Sequence, residues 1–338
     1  MIKERISMGS TYDVYGVGNA LVDIQYKVTP ETLGELGIEK GVMTLIDMER
    51  QQALFAALEQ DPAASASGGS AANTMIGIAQ FGGSAFYACL TGRDAWGDFY
   101  QRDLEKAGVA TSADSRGEGI TGQCVVFITP DADRTLNTFL GISSAFGPAQ
   151  LEAEKIAASQ YTYIEGYLLS SDNGYEACRE TQRIARESGT AVSLTLSDPF
   201  MVSAFKERFE SLVEEGVDLL FCNEDEAFAF SGINERQAAV QALGQRAAIA
   251  CVTCGADGAL IAENGHIHSI PGVRVTPVDT NGAGDLFAGG VLYGLTHDLG
   301  VENAGKLGSY AAAQVVSQYG PRLEHSLQEV EAILAHFA

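Results

Sequence analysis

The chain has 338 residues, 46% of them hydrophobic, with a formal net charge of −23 and six cysteines. That length supports a full hydrophobic core, and that charge repels nucleic-acid phosphates and anionic membranes, so neither is an expected partner. No stretch reaches the apolar length of a membrane span and the polar start from Met1 to Thr11 lacks the apolar centre of a signal peptide, so a soluble cytoplasmic protein is expected.

In chain order, apolar runs bounded by turn residues predict strands at 12–17, 84–90, 161–164, 191–196, 217–222 and 249–253. Amphipathic stretches such as 175–187 and 201–214 fall between them and predict helices. A mainly parallel sheet covered on both faces follows, with ligands expected at the carboxyl ends of its strands. Segments 24–46 and 122–139 break the alternation. Strand-like pieces at 123–129 and 134–139, joined by the turn Pro130-Asp131-Ala132-Asp133, would pair as a small sheet beside the main one. Such a sheet serves either as a flap over a pocket or as a fixed edge extension, and the pattern does not choose. Helical periodicity then fills 285–297, 301–319 and 326–337, with Gly320-Pro321 dividing the last two.

Cys251 and Cys254 form a C-x-x-C, but a strand sends them to opposite faces, and the cysteines read as reduced core residues. The near pair His266 and His268 lacks a second pair of zinc ligands. Gly16-Val-Gly18-Asn19 follows the first strand without the third glycine of a dinucleotide fingerprint. Asn19 and Asp23 instead lie just past a strand end, where a carboxylate suits the paired hydroxyls of a sugar. Gly300 to Lys306 has the spacing of a phosphate loop, but Leu307 stands where Ser or Thr is needed.

Ser67-Gly68-Gly69-Ser70-Ala-Ala-Asn73 is a glycine turn entering an apolar-periodic run at 74–81. Bare backbone lets a ligand approach, and Ser70 and Asn73 offer polar groups; Ser70 would equally cap a helix. Arg134 is one of few positive charges placed to meet a phosphoryl group. Asn223 and Glu226, after a predicted strand, would order a hydrated magnesium ion or simply start a helix. The turn from Thr253 through Gly255 to Gly258 suits the floor of a nucleotide site or a plain hairpin.

Residues Asp279-Thr-Asn-Gly-Ala-Gly-Asp285 carry the most chemistry, because a glycine-rich turn there runs into a helical pattern. The amides of Asn281, Gly282, Ala283 and Gly284 would converge on one anion, with Asp285 beside it as a base. With these motifs in this order the chain resembles, over nearly its whole length, the ribokinase-like carbohydrate kinases of the PfkB family. Residues 279–285 resemble that family's carboxyl-terminal signature, and Gly68 to Asn73 with Phe81-Gly82-Gly83 its amino-terminal one. Asn223-x-x-Glu226 matches its magnesium-associated motif, while Asn281 stands where Thr is commoner.

The resemblance implies a three-layer α/β/α sandwich with a mainly parallel central sheet, one domain over 1–338, and a small β-sheet lid from about 24–46 and 118–140. It implies Asp285 as catalytic base, an anion hole of Gly282, Ala283 and Gly284, and Arg134 reaching in from the lid. ATP would lie along Asn223, Thr253, Gly255, Gly258, Gly282 and Gly284. Mg2+ would be held through water at Asn223 and Glu226, and a monovalent cation such as K+ beside Asp279. The substrate end would use Asn19, Asp23, Gly69, Ser70 and Asn73. Around 18–24 and 133–140 the chain looks most like adenosine kinases and their bacterial relatives, with Leu136 and Tyr167 in the wall against a base. The expected reaction moves the γ-phosphoryl group of ATP to a primary hydroxyl of a nucleoside, adenosine first. A free sugar such as ribose or fructose is the alternative, a non-catalytic binding regulator the remoter one, and the protein would be a monomer or homodimer.

Overall fold

The computed structural model describes residues 11–58, 61–131 and 133–337; the predicted polar start at 1–10 and Ala132 of the predicted turn lie outside the described residues. A nine-stranded sheet forms the middle layer. Its order is His266–Ile270, Ala259–Glu263, Ala247–Thr253, Val217–Asn223, Ala191–Thr195, Ser159–Ile164, Tyr12–Val17, Ala85–Ala88 and Val109–Thr111. From Ala247–Thr253 onward every pairing is parallel, and the first two strands close that edge antiparallel. All six predicted strands are present, shifted by no more than two residues at either end. They are rich in β-branched and aromatic residues and buried on both faces, as strands between two helical layers must be.

A five-stranded sheet stands beside it, in the order Met43–Leu45, Arg134–Phe139, Gly122–Ile128, Leu21–Lys27 and Ala64–Gly68. The predicted hairpin is there, with Leu136 opposite Val126 and Thr138 opposite Cys124. Segment 24–46 is not continuously β-rich: Pro30–Glu35 is a short helix, started by the Thr29 side chain and by proline in its first turn. The stretch 201–214, expected as one helix, is two. Asp198 caps Pro199–Ala204, and Phe205 leaves helical geometry before Lys206–Gly216 begins.

Three helices place the site. Ser70–Phe81 packs on Ala283–Thr296, which in turn packs along Gly300–Val316. Gly289 makes the first contact possible, because a Cβ there would lie 3.0 Å from the Thr74 carbonyl oxygen. Leu286 buries itself in the same seam against Gly77, and Phe287 lies against Gly308 of the third helix, each contributing roughly 1.5–3 kcal/mol. Close backbone approach brings the first turns of Ser70–Phe81 and Ala283–Thr296 together.

Candidate active site

One cavity of about 970 Å³ opens at the carboxyl ends of the central strands, between the two sheets. Its lining takes in Asn19, Asp23, Gly69, Ser70, Asn73, Leu136 and Tyr167, the residues expected at the substrate end. Gly282, Ala283, Gly284 and Asp285 line its middle, and Asn223, Glu226, Thr253 and Gly255 its far end.

Asp285 sits in the first turn of Ala283–Thr296 and faces the first turn of Ser70–Phe81. Ser70 Oγ donates to Asp285 Oδ1 at 2.6 Å, and Asn73 Nδ2 donates to Oδ2 at 3.0 Å. Burial pushes this carboxyl up to about 6, while the two hydrogen bonds pull it back down. A carboxylate tuned close to neutrality is suited to take a proton from an alcohol.

The turn before it differs from expectation in detail. Asn281 N donates to Asp279 Oδ1 at 3.0 Å and Ala283 N to the Thr280 carbonyl at 3.3 Å, so neither amide is freely offered. Among the described residues the amides of Gly282, Gly284 and Asp285 have no acceptor, and these are the donors a helix start turns toward an anion. Gly282 has φ +79°, and a Cβ there would fall 2.6 Å from the Pro321 carbonyl oxygen, so glycine is required twice over.

At the expected substrate end, Asp23 is 7% exposed and, among the described residues, its carboxylate accepts no hydrogen bond. Burial raises its carboxyl to about 6; Arg322 and Arg134 pull it down and Asp285 pushes it up. Asn19 is held by both ends of its amide: Nδ2 donates to Glu165 Oε1 at 2.9 Å and Oδ1 accepts from Ser143 Oγ at 3.1 Å. Glu165 Oε2 also accepts from Ala71 N at 2.9 Å, tying the end of Ser159–Ile164 to the start of Ser70–Phe81. Burial raises Glu165 to about 7, against the hydrogen bonds from Ala71 and Asn19.

Glu165, Ser143 and Arg322 are brought to the site by the fold and are not among the residues expected from sequence. A charged residue directly after a buried strand, as in Tyr163-Ile-Glu165, was the available signal for the first. Leu21, Met43, Leu45, Cys124, Leu136 and Leu140 of the smaller sheet and its flanks make one wall of the cavity apolar.

At the far end Asn223 and Glu226 form a capping box: Glu226 N donates to Asn223 Oδ1 at 2.8 Å, and Asn223 N to Glu226 Oε2 at 3.0 Å. Helix starting and cavity lining are therefore the work of one pair. Burial raises Glu226 to about 7, partly offset by the Asn223 amide. No cluster of three or more His, Cys, Asp or Glu among the described residues could hold a bare metal, so a hydrated ion bound also by phosphate oxygens is what this site fits.

Three expected residues lie elsewhere. Gly258 sits in the hairpin between Ala247–Thr253 and Ala259–Glu263, pressed against the backbone of 270–272 and outside the cavity lining. Arg134 lines a separate cavity of about 370 Å³ and pairs through Nε with Asp279 Oδ2 at 2.8 Å. It does not reach the main cavity, because the Asp279 charge holds it on the other side of the 279–281 turn. Asp279 in turn has both oxygens engaged, by Asn281 N, Gly320 N and Arg134, so its carboxylate is already neutralised without a monovalent cation. All six cysteines are free and buried, and among the described residues no helix is long and apolar enough to cross a membrane.

The family model for pfkB family carbohydrate kinases matches residues 44–327. The chain belongs to that family. It is 29% identical over 329 residues to the adenosine kinase of Saccharomyces cerevisiae, covering 90% of this chain and 95% of that one. The crystal structure of adenosine kinase from Sinorhizobium meliloti superposes with a TM-score of 0.88 at 35% identity, over 96% of this chain and 99% of that one. A protein from Rhizobium etli CFN 42 described as a probable sugar kinase superposes with a TM-score of 0.89 at 37% identity, over 97% of this chain and all of that one. This pfkB kinase therefore has the ribokinase-like α/β fold and is a phosphotransferase acting on a hydroxyl group of a nucleoside or sugar, with ATP as donor.

Proposed function

We propose that this pfkB kinase transfers the γ-phosphoryl group of ATP to the primary hydroxyl of adenosine. The observation that carries the reading is Asp23: a buried carboxylate without a donor among the described residues, beside an apolar wall in the same cavity as Asp285. A vicinal diol supplies two donors to such a carboxylate, and a purine supplies a flat apolar body for Leu136, Leu140 and Tyr167. A free hexose would satisfy the first and waste the second. The likeness to adenosine kinases supports the same choice.

In this reading Asn19 and Asp23 hold the ribose, which leaves the primary hydroxyl facing Asp285. Asp285 takes the hydroxyl proton as the oxygen attacks, and the amides of Gly282, Gly284 and Asp285 meet charge on the transferring group. Asn223, Thr253 and Gly255 border the space for the donor nucleotide. A magnesium ion, when bound with the nucleotide, would neutralise phosphate charge, and water-mediated contact with Glu226 fits the donor set present. The smaller sheet covers the acceptor and keeps water from competing with it.

Steady-state ATP turnover against adenosine, other nucleosides, ribose and fructose tests the assignment. Adenosine is expected to give the highest kcat/KM, and a free sugar turning over more efficiently would overturn it. Absence of ATP consumption with every acceptor, together with retained adenosine binding, would favour a silent regulator.

A further inference from the structure

Arg322 follows the Gly320-Pro321 break and is not itself part of the cavity lining. Its guanidinium nevertheless joins three elements. Nη1 pairs with Asp103 Oδ2 at 2.8 Å, Nη2 donates to Ser67 Oγ at 2.7 Å, and Nε donates to Asn73 Oδ1 at 3.3 Å. Asp103 is itself fixed, accepting from both Ser67 N at 2.9 Å and Ser67 Oγ at 2.6 Å. The segment around it is tied down as well: Gln80 Nε2 donates to the Leu323 carbonyl at 2.6 Å, and Gly320 N donates to Asp279 Oδ2 at 2.7 Å.

A guanidinium can only donate, so the atom of Asn73 that faces Arg322 must be its oxygen. The amino group is then turned to the other side, toward Asp285 Oδ2. Flipped, the same amide would set its oxygen against a carboxylate and leave the Arg322 donor facing an amino group. From this geometry we infer that Arg322 is a positioning residue for phosphoryl transfer: it locks the Asn73 amide so that its N–H bond steadies the ionised Asp285. The inference rests on Asp285 being the base.

The residues that feel the Asp285 charge are Asp23, Glu165, Glu226, Tyr163 and Tyr167, and Arg322 also acts on Asp23. A pH profile must therefore be read against variants that change only the Arg322 link. Arg322→Met is expected to lower kcat roughly 10- to 100-fold, the loss typical of one hydrogen bond to a charged group, and to move the acid limb of kcat/KM to higher pH. In an Asn73→Ala background the same change should have almost no further effect on kcat, while the part of the limb shift that Arg322 exerts on Asp23 remains. Asp103→Asn, which loosens Arg322 without removing it, should move the limb the same way by less, and stands in if Arg322→Met folds poorly.

An acid limb left in place in Arg322→Met and in Asp103→Asn, with Asp285→Asn inactive, overturns the positioning role alone. Turnover retained by Asp285→Asn overturns the base assignment and this inference with it. Full additivity of Arg322→Met and Asn73→Ala also rejects the link, since independent structural damage adds.

Discussion

Ser70 and Asp285, 215 residues apart in sequence, share a 2.6 Å hydrogen bond between the first turns of two helices. Both helices open after a glycine of positive φ, Gly69 at +102° and Gly282 at +79°, and both aim their starts into the same cavity. Two partial positive ends thus flank one carboxylate. The two glycine motifs are halves of a single site, and the Gly77–Gly289 approach sets their spacing.

Replacing Asp285 by Asn should remove the proposed base and strengthen the fold together. Loss of a positioned general base costs about 10²- to 10⁴-fold in kcat. The folded carboxyl titrates at about 6, above its ordinary range. Its contribution to stability is therefore present at low pH and lost as pH rises through about 6. At pH 8 the ionised group weighs against folding by up to about 3 kcal/mol, less whatever cavity water screens. Asn fits without strain, its oxygen accepting from Asn73 and its amino group donating to Ser70. Thermal melts should show the variant more stable at pH 8 and the gap closing toward pH 5; a constant gap would contradict the burial cost.

The acid limb of kcat/KM in the native enzyme should fall near pH 6, where Asp285 and Asp23 both take up protons. Activity is present above that range and lost below it, because the working form of each group is the anion. Ser70→Ala removes a donor that lowers the Asp285 carboxyl, so its acid limb should move to higher pH. A limb that moves to lower pH, or stays, would show that Asp285 is not the group being titrated.

What was legible in the sequence is what is encoded locally. The turn at 279–285 needs Gly282 for its left-handed backbone and for the space Pro321 takes, so its glycines announce it without any partner. The parallel strands announce themselves as buried apolar runs. Ala64–Gly68 does not, since Ala-Ser-Ala-Ser-Gly has no apolar alternation and becomes a strand only by pairing with Leu21–Lys27. Glu165 and Arg322 act through contacts spanning 146 and 249 residues, which no window of sequence contains. Arg134 stands out in the sequence as one of few positive charges, but the carboxylate that claims it, Asp279, belongs to another element 145 residues on, and no local pattern links the two.

Asp23→Asn should weaken nucleoside use selectively. An amide offers one acceptor where the carboxylate offers two and carries no charge, so kcat/KM for adenosine should drop roughly 10- to 100-fold. The loss belongs to the diol. With 2′,3′-dideoxyadenosine, native enzyme and variant should turn over at nearly the same low efficiency. An equal loss on both acceptors would place Asp23 away from the ribose hydroxyls.

The Arg134–Asp279 pair joins the smaller sheet to the turn before Ala283–Thr296, with both side chains almost fully buried at 6% and 3% exposure. Removing one partner leaves the other as an uncompensated buried charge, so Arg134→Met should destabilise by about 3–5 kcal/mol. Adding Asp279→Asn neutralises that charge and should return part of the loss, although Gly320 N then faces an amino group or Asn281 N does. The double variant is therefore expected to be more stable than Arg134→Met alone, with a coupling of about 0.5–3 kcal/mol in a double-mutant cycle by denaturant unfolding. Turnover should not return with stability, because the tie between the smaller sheet and the 279–285 turn stays cut. Additive destabilisation would mean that the two charges are not held together in solution, and full recovery of kcat in the double variant would mean that the tie has no part in closing the site.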